Sequence, residues 1–512
     1  MGIPYLPATG HGPVPGHTAG RSESADMVDF SNRRLLGSAP PARFEVDLHD
    51  CEIQGEIPKS LNGAFYRLHM DWLYPPADAD ETILAGDGYV SMFRLKNGRA
   101  DYKGRFVQTL RYRKQLEAGR QLYGYYRNPY ADDPSVRDIE NPGARTTANT
   151  TPVILAGRLY ATKEDGLPYE IDPNSLATRS QTDFEGRWKS QTFTAHPKLD
   201  PLTGETFAYG YEASGLCSRD VFVACIDKAG RITREWRFDA PHTSMLHDMW
   251  LTQEYLVIPG GGLVTSRDWL EAGKKHWAWD SSKPSWYAVI PRAGGSEDIR
   301  YFFGPERSIV HTANARSENG RIVLEAPVAS GNNWPWFPDV NGTPYKPIPR
   351  TLRRITLDLR KKDASPEEEL LFDTPITNFT RVDERFFMQP YRYIYVPYFD
   401  ERFDSGKRFD RFDTNSLARF DLQAGTLKSW FPGPGRALQE PVFIPLSANA
   451  AEGEGFVVSV GQNIEQSVTE LYLLDARMME ELARVTLPFR TSPQIHGTWG
   501  DPTTLPLSSS VA

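Results

Sequence analysis

"GRLYATKEDGLPYEID" (157–172) alternates apolar and polar residues on both sides of a short polar turn. Leu159 and Ala161 fall on one face of the first arm, and Tyr169 and Ile171 on one face of the second. Asp165–Gly166 lies between them. Side chains in a strand alternate faces, so two such runs around a turn predict a β-hairpin. The same pattern returns in "DVFVACIDKAGRITREWRF" (220–238), "SWYAVIPRAGGSEDIRYFF" (285–303), "RRITLDLRKK" (353–362), "LARFDLQAGTLKSWF" (417–431) and "ELYLLDARMMEELARVTLPF" (470–489). From about residue 85 onward it recurs at irregular spacing. A long succession of hairpins makes an all-β protein: a propeller, a large barrel or stacked sandwiches. Of these, a propeller accommodates irregular insertions between its units best.

The totals agree. Among 512 residues there are 41 Gly and 40 Pro, and hydrophobic residues make up 39%, enough for a core with many turns. A net charge of −8 with no basic block argues against a nucleic-acid partner. Three cysteines, Cys51, Cys217 and Cys225, form no CxxC and no disulfide framework. No apolar run is long enough for a membrane span, and no secretory leader is visible. The sequence reads as cytoplasmic. Residues 1–40 are rich in Gly, Pro and Ser and read as a flexible arm, with 41–512 as a single β-propeller domain. Two long aromatic, Pro-rich insertions, 271–287 and 332–347, are expected to shape an entrance.

There are ten histidines. Three end or interrupt an apolar strand beside small or turn-forming residues: His196 in "TFTAHPKLD", His247 in "SMLHDMWLT" and His311 in "SIVHTANAR"; a fourth, His496 in "SPQIHGTWG", lies at the last turn. They are too far apart for a local metal motif. The inner strands of a propeller all approach one axis, however, so four blades can bring four imidazoles together. Core histidines held by structural hydrogen bonds are the competing reading, and on spacing alone both stand. His242 is a nearby competitor for the place of His247.

"TAHPKLDPLTGE" (194–205), "MLHD" (245–248), "VHTANA" (310–315) and "PFR…HGTW" (488–499) resemble the four histidine motifs of the carotenoid cleavage oxygenase family. "GDGYVSMFRL" (86–95) and "QEPVFIP" (439–445) match two further family segments. "YYRNPYADDPSV" (125–136) and "KEDGLPYEIDP" (163–173) are similar to the lignostilbene dioxygenase and isoeugenol monooxygenase branch. The resemblance implies a seven-bladed β-propeller with long loops forming a dome over one axial Fe(2+). It implies His196, His247, His311 and His496 as the ligands, with glutamates behind them at Glu164 and Glu440. The third family glutamate is replaced: relatives read "EFPR" where this sequence has "NFTR", with Asn378 in the glutamate position. Asn378 is expected behind His311, accepting one hydrogen bond without bringing a charge. Thr150 matches a residue that crowds an open iron position.

By the same resemblance Tyr126 and Lys163 hold a substrate phenol. An ammonium ion in a low-dielectric pocket favours the phenolate, which feeds electrons into a conjugated C=C and opens it to attack by oxygen. The activity implied is cleavage of a phenolic stilbene or phenylpropenoid with O2 to two carbonyl products. Cleavage of isoeugenol or a vinylphenol, or of an apocarotenoid, is the alternative, as is a metal-free binding propeller. The partners are a small aromatic alkene and O2, and a homodimer remains open. Read alone, the adjacent Lys163 and Glu164 are a solvated turn. The resemblance gives them two separate roles on opposite faces of a strand.

Overall fold

The computed structural model describes residues 41–76, 78, 81–362, 364–404 and 414–508. The 1–40 arm, with His11 and His17, lies outside them. The described part is almost entirely β, as expected, and its antiparallel sheets form a seven-bladed propeller.

The 157–172 hairpin is real. Thr151–Leu155, Arg158–Thr162, Tyr169–Ile171 and Thr178–Gln181 form the second blade, with Leu159 opposite Ile171 and Ala161 opposite Tyr169. The third blade begins at Lys198–Leu199 and continues through Thr206–Tyr211, Asp220–Ile226 and Ile232–Asp239. The fourth begins at Trp250–Leu251 and the fifth at Asn314–Glu318. The sixth is built on Tyr393–Tyr398, and the seventh on Val442–Pro445 and Gly455–Asn463.

The first blade closes the ring. Its strands Gly63–Asp71, Asp87–Lys96 and Arg99–Phe106 take the C-terminal strand Gln494–Gly500 as their inner edge. Reciprocally, Glu52–Gly55 pairs with Glu480–Leu487 on the outside of the seventh blade. Each end of the ring therefore completes the sheet of the other. Alternation explains the packing between them. Phe65 and Phe93 pack with Val458 and Val460 of the seventh blade, whereas Ala64, Tyr66 and Val90 face the second.

Two glycines are required by the backbone. Gly98, at φ 80°, follows Asn97 at φ 52° in the tight turn after Lys96, a left-handed pair that Asn-Gly adopts at low cost. Gly88 runs against the loop ahead of the second blade: a Cβ there would lie 2.4 Å from the Thr147 carbonyl oxygen and 2.6 Å from that of Ala148.

No helix among the described residues is long and apolar enough to cross a membrane.

Candidate metal centre and substrate cavity

The four histidines meet on the axis. His196, His247 and His311 each stand two or three residues ahead of the innermost strand of the third, fourth and fifth blades, and His496 lies within that of the first. A side group at this point of a blade faces the central channel. One nitrogen from each ring lies within 4.8 Å of the others. The Nε2 atoms of His247 and His311 are 2.9 Å apart, and those of His196 and His247 3.2 Å. His242 points elsewhere, with Nε2 3.0 Å from the Gly261 carbonyl oxygen.

Three imidazoles are fixed from behind by the remaining blades. His247 Nδ1 donates to Glu164 Oε2 at 2.5 Å, from the end of a second-blade strand. His496 Nδ1 donates to Glu440 Oε1 at 2.9 Å, ahead of the seventh blade; Glu440 Oε2 also accepts the Gly497 amide at 2.9 Å. His311 Nδ1 donates to Asn378 at 2.9 Å, ahead of the sixth blade, but the acceptor is the backbone carbonyl. This corrects the expectation for Asn378 in one respect: its backbone, and not its amide group, supports the ring. Burial alone would push the Glu164 and Glu440 carboxyls up. Contact with His247 and Arg127, and with His496 and Arg381, outweighs it and holds both below the usual carboxylate value. Burial, then the neighbouring imidazoles, holds His196 and His311 well below the ordinary histidine range, so both are neutral.

This donor set fits a cation. Carboxylates and carbonyls only accept, so Nδ1 carries the proton on His247, His311 and His496, and each Nε2 presents a lone pair inward. Facing lone pairs at 2.9 Å repel unless something positive lies between them. Two imidazoles bound at about 2.1 Å and roughly a right angle would leave their nitrogens about 3 Å apart. His496 Nε2 is buried without any hydrogen-bond partner, as a ligand atom would be. Four neutral nitrogens suit a first-row transition metal.

Beside the cluster lies a cavity of about 570 Å³. Tyr126, Thr150, Lys163, Glu164, His247, His311 and Asn378 all line it. Lys163 and Glu164 are not a solvated turn, since each is only 3% exposed. They lie just past the strand and border the same cavity, so strict alternation does not separate them; their partners do. Lys163 Nζ donates to the Leu84 carbonyl at 2.9 Å and to Asn149 Oδ1 at 2.8 Å, and lies 4.8 Å from the centre of the Tyr126 ring. Two of its three N–H groups are thereby used. Tyr126 donates its hydroxyl to Glu164 Oε1 at 3.1 Å. Thr150 turns its hydroxyl to Asn149 Oδ1 at 3.0 Å.

The far wall comes from the 332–347 insertion, through Asn333, Trp334, Trp336 and Tyr345, together with Arg350, Phe379 and Ile495. The 271–287 insertion does not reach the cavity. It braces the 332–347 insertion from outside, through Trp279 N–H to Pro338 O and Val340 N–H to Trp279 O, both at 2.8 Å. Asn149, Phe379 and Arg350 carried no sequence signal of their own, although Asn149 adjoins the singled-out Thr150.

A family model described as retinal pigment epithelial membrane protein (RPE65) matches residues 39–501. The protein belongs to the carotenoid cleavage oxygenase family. Within that family, lignostilbene-alpha,beta-dioxygenase isozyme III of Sphingomonas paucimobilis is 37% identical over 486 residues, covering 93% of this protein and 98% of its own length. Isoeugenol monooxygenase of Pseudomonas putida is 34% identical, over 92% of this protein and 98% of its own length. The crystal structure of Pseudomonas brassicacearum lignostilbene dioxygenase superposes with a TM-score of 0.87 at 36% identity, covering 91% of this protein and 98% of the other. The carotenoid cleavage oxygenases are iron-dependent, alkene-cleaving enzymes.

Proposed function

We propose that this protein is an Fe(2+)-dependent oxygenase that cleaves the alkene bond of a phenolic stilbene or phenylpropenoid with O2, giving two carbonyl products. One observation carries the reading. Lys163, a buried cation with one N–H to spare, borders the same cavity as the inward-facing imidazoles of His247 and His311. The activities named for the relatives, on lignostilbene and isoeugenol, agree with it.

His196, His247, His311 and His496 would hold the iron, which supplies activation of O2. Glu164, Glu440 and the Asn378 carbonyl keep three rings in the tautomer that offers Nε2. Lys163 gives its third N–H to the phenol oxygen and favours the phenolate. Tyr126 has committed its own proton to Glu164, and its ring, 4.8 Å from Lys163 Nζ, walls the phenol end of the cavity. The bound substrate's electrons are then drawn toward the alkene from the ring held at Lys163. Trp334 and Phe379 flank His247 and His311, with ring centroids 5.7 and 5.3 Å away, and exclude water from the reacting bond. Three free cysteines suit a reducing, cytoplasmic setting.

The test is a product screen by mass spectrometry on the iron-loaded enzyme with 4-hydroxystilbenes, isoeugenol, vinylguaiacol and an apocarotenal. Aromatic aldehydes from the stilbenes are expected. Cleavage of the apocarotenal alone would overturn the phenolic reading.

A further inference from the structure

Arg350 is a second cation on the cavity wall, and no carboxylate among the described residues that line the cavity answers it. Its Nε is buried without a hydrogen-bond partner. The carboxylate on the cavity wall, Glu164, is already engaged by His247 and Tyr126. Burial works against the charged form of Arg350 and lowers its pKa from the ordinary value. A guanidinium stays protonated regardless, so it keeps an unmet demand for an anion.

Its place in the ring says which anion would reach it. Lys163 comes from the second blade. Arg350 immediately precedes the fifth-blade strand Thr351–Asp358, and its carbonyl accepts the Ile376 amide at 3.0 Å, on the way to the sixth blade. In a ring of seven, the fifth and sixth blades stand farthest from the second. The backbones that carry the two cations therefore belong to opposite sides of the ring, and both residues line the cavity beside His247 and His311. A molecule crossing the histidine cluster with one ring at Lys163 presents its other ring toward Arg350. About 570 Å³ is room for two rings.

We propose that the cavity selects an aryl alkene with an acidic group at each end, a phenol at Lys163 and a carboxylate on the distal ring at Arg350. This rests on the aryl-alkene reading above and adds the second recognition point. The planar guanidinium fork matches a carboxylate with two parallel hydrogen bonds.

Saturated analogues test it without turnover. Binding of 4-hydroxybibenzyl and of its 4′-carboxylate to the iron-loaded enzyme is measured by quenching of tryptophan fluorescence, since Trp334 and Trp336 line the cavity. The carboxylate is expected to bind roughly ten- to hundredfold more tightly than the neutral compound. Arg350→Gln should bring that ratio to about one, and Arg350→Lys should keep part of it. Binding of the neutral analogue to each variant reports that the cavity is intact. Equal affinities in the wild type, or a preference that survives Arg350→Gln, would overturn the role of Arg350 and leave the aryl-alkene reading standing. If neither analogue binds and no aryl alkene is cleaved, both readings fall together.

Discussion

Lys163 shows how a charge becomes a tool when its partners are neutral. Leu84 and Asn149 accept hydrogen bonds from two of its N–H groups without cancelling its charge. Replacing it with Ala should lower kcat/KM on 4-hydroxystilbenes roughly ten- to hundredfold, with a much smaller loss on a stilbene lacking the hydroxyl. Equal losses on both would remove it from phenol binding. Burial pulls the Lys163 pKa below its ordinary value of 10.5. The ammonium is therefore lost as pH rises through that lowered value, and activity on the phenol should show an alkaline limb beginning below 10.5 that Lys163→Ala lacks. At Asn378 the acceptor for His311 is the backbone, so Asn378→Ala should keep its iron. Glu164→Gln and Glu440→Gln should each weaken iron affinity by about 10- to 100-fold, measured by chelator competition. The loss of a family glutamate at 378 was visible in the sequence. That a backbone carbonyl takes over was not, because a backbone acceptor has no residue type of its own.

Hairpins were legible because each needs only a local pattern, and Leu159 opposite Ile171 follows from alternation alone. The four histidines were legible through the family motifs around them, since their places along the strands left the core-histidine reading standing. The insertions divide the other way. Both 271–287 and 332–347 read as aromatic loops, yet only the second reaches the cavity, while the first is a brace held at Trp279. Sequence pattern does not distinguish a wall from its support, since both bury tryptophan. The same dependence on neighbours gives a prediction at Gly88. The Thr147 and Ala148 carbonyls that a Cβ would strike belong to the loop that presents Asn149 and Thr150. Gly88→Ala should cost about 1–3 kcal/mol of stability, read by thermal melting. It should also blunt the preference for phenolic over non-phenolic stilbenes, because displacing Asn149 loosens Lys163.

The ring as a whole gathers its site from every blade: inward-facing imidazoles from the first, third, fourth and fifth, and their supports from the second, sixth and seventh. A metal held by all four imidazoles would tie their blades together, so chelation should lower the melting temperature and iron should restore it. An unchanged melting temperature would mean that the imidazoles are not ligands. Blade number and circular closure are long-range properties. No single stretch encodes the pairing of Gly63–Asp71 with Gln494–Gly500, which joins strands far apart in sequence. That pairing sets an order of events in the cell. While the ribosome is still extending the polypeptide, six blades can be laid down, but the first lacks its inner strand and the centre lacks His496. Iron capture at full affinity would thus wait until residues 494–500 have left the exit tunnel. Products truncated before residue 494 should bind the metal more weakly, and loading would become a checkpoint that favours molecules with a closed ring.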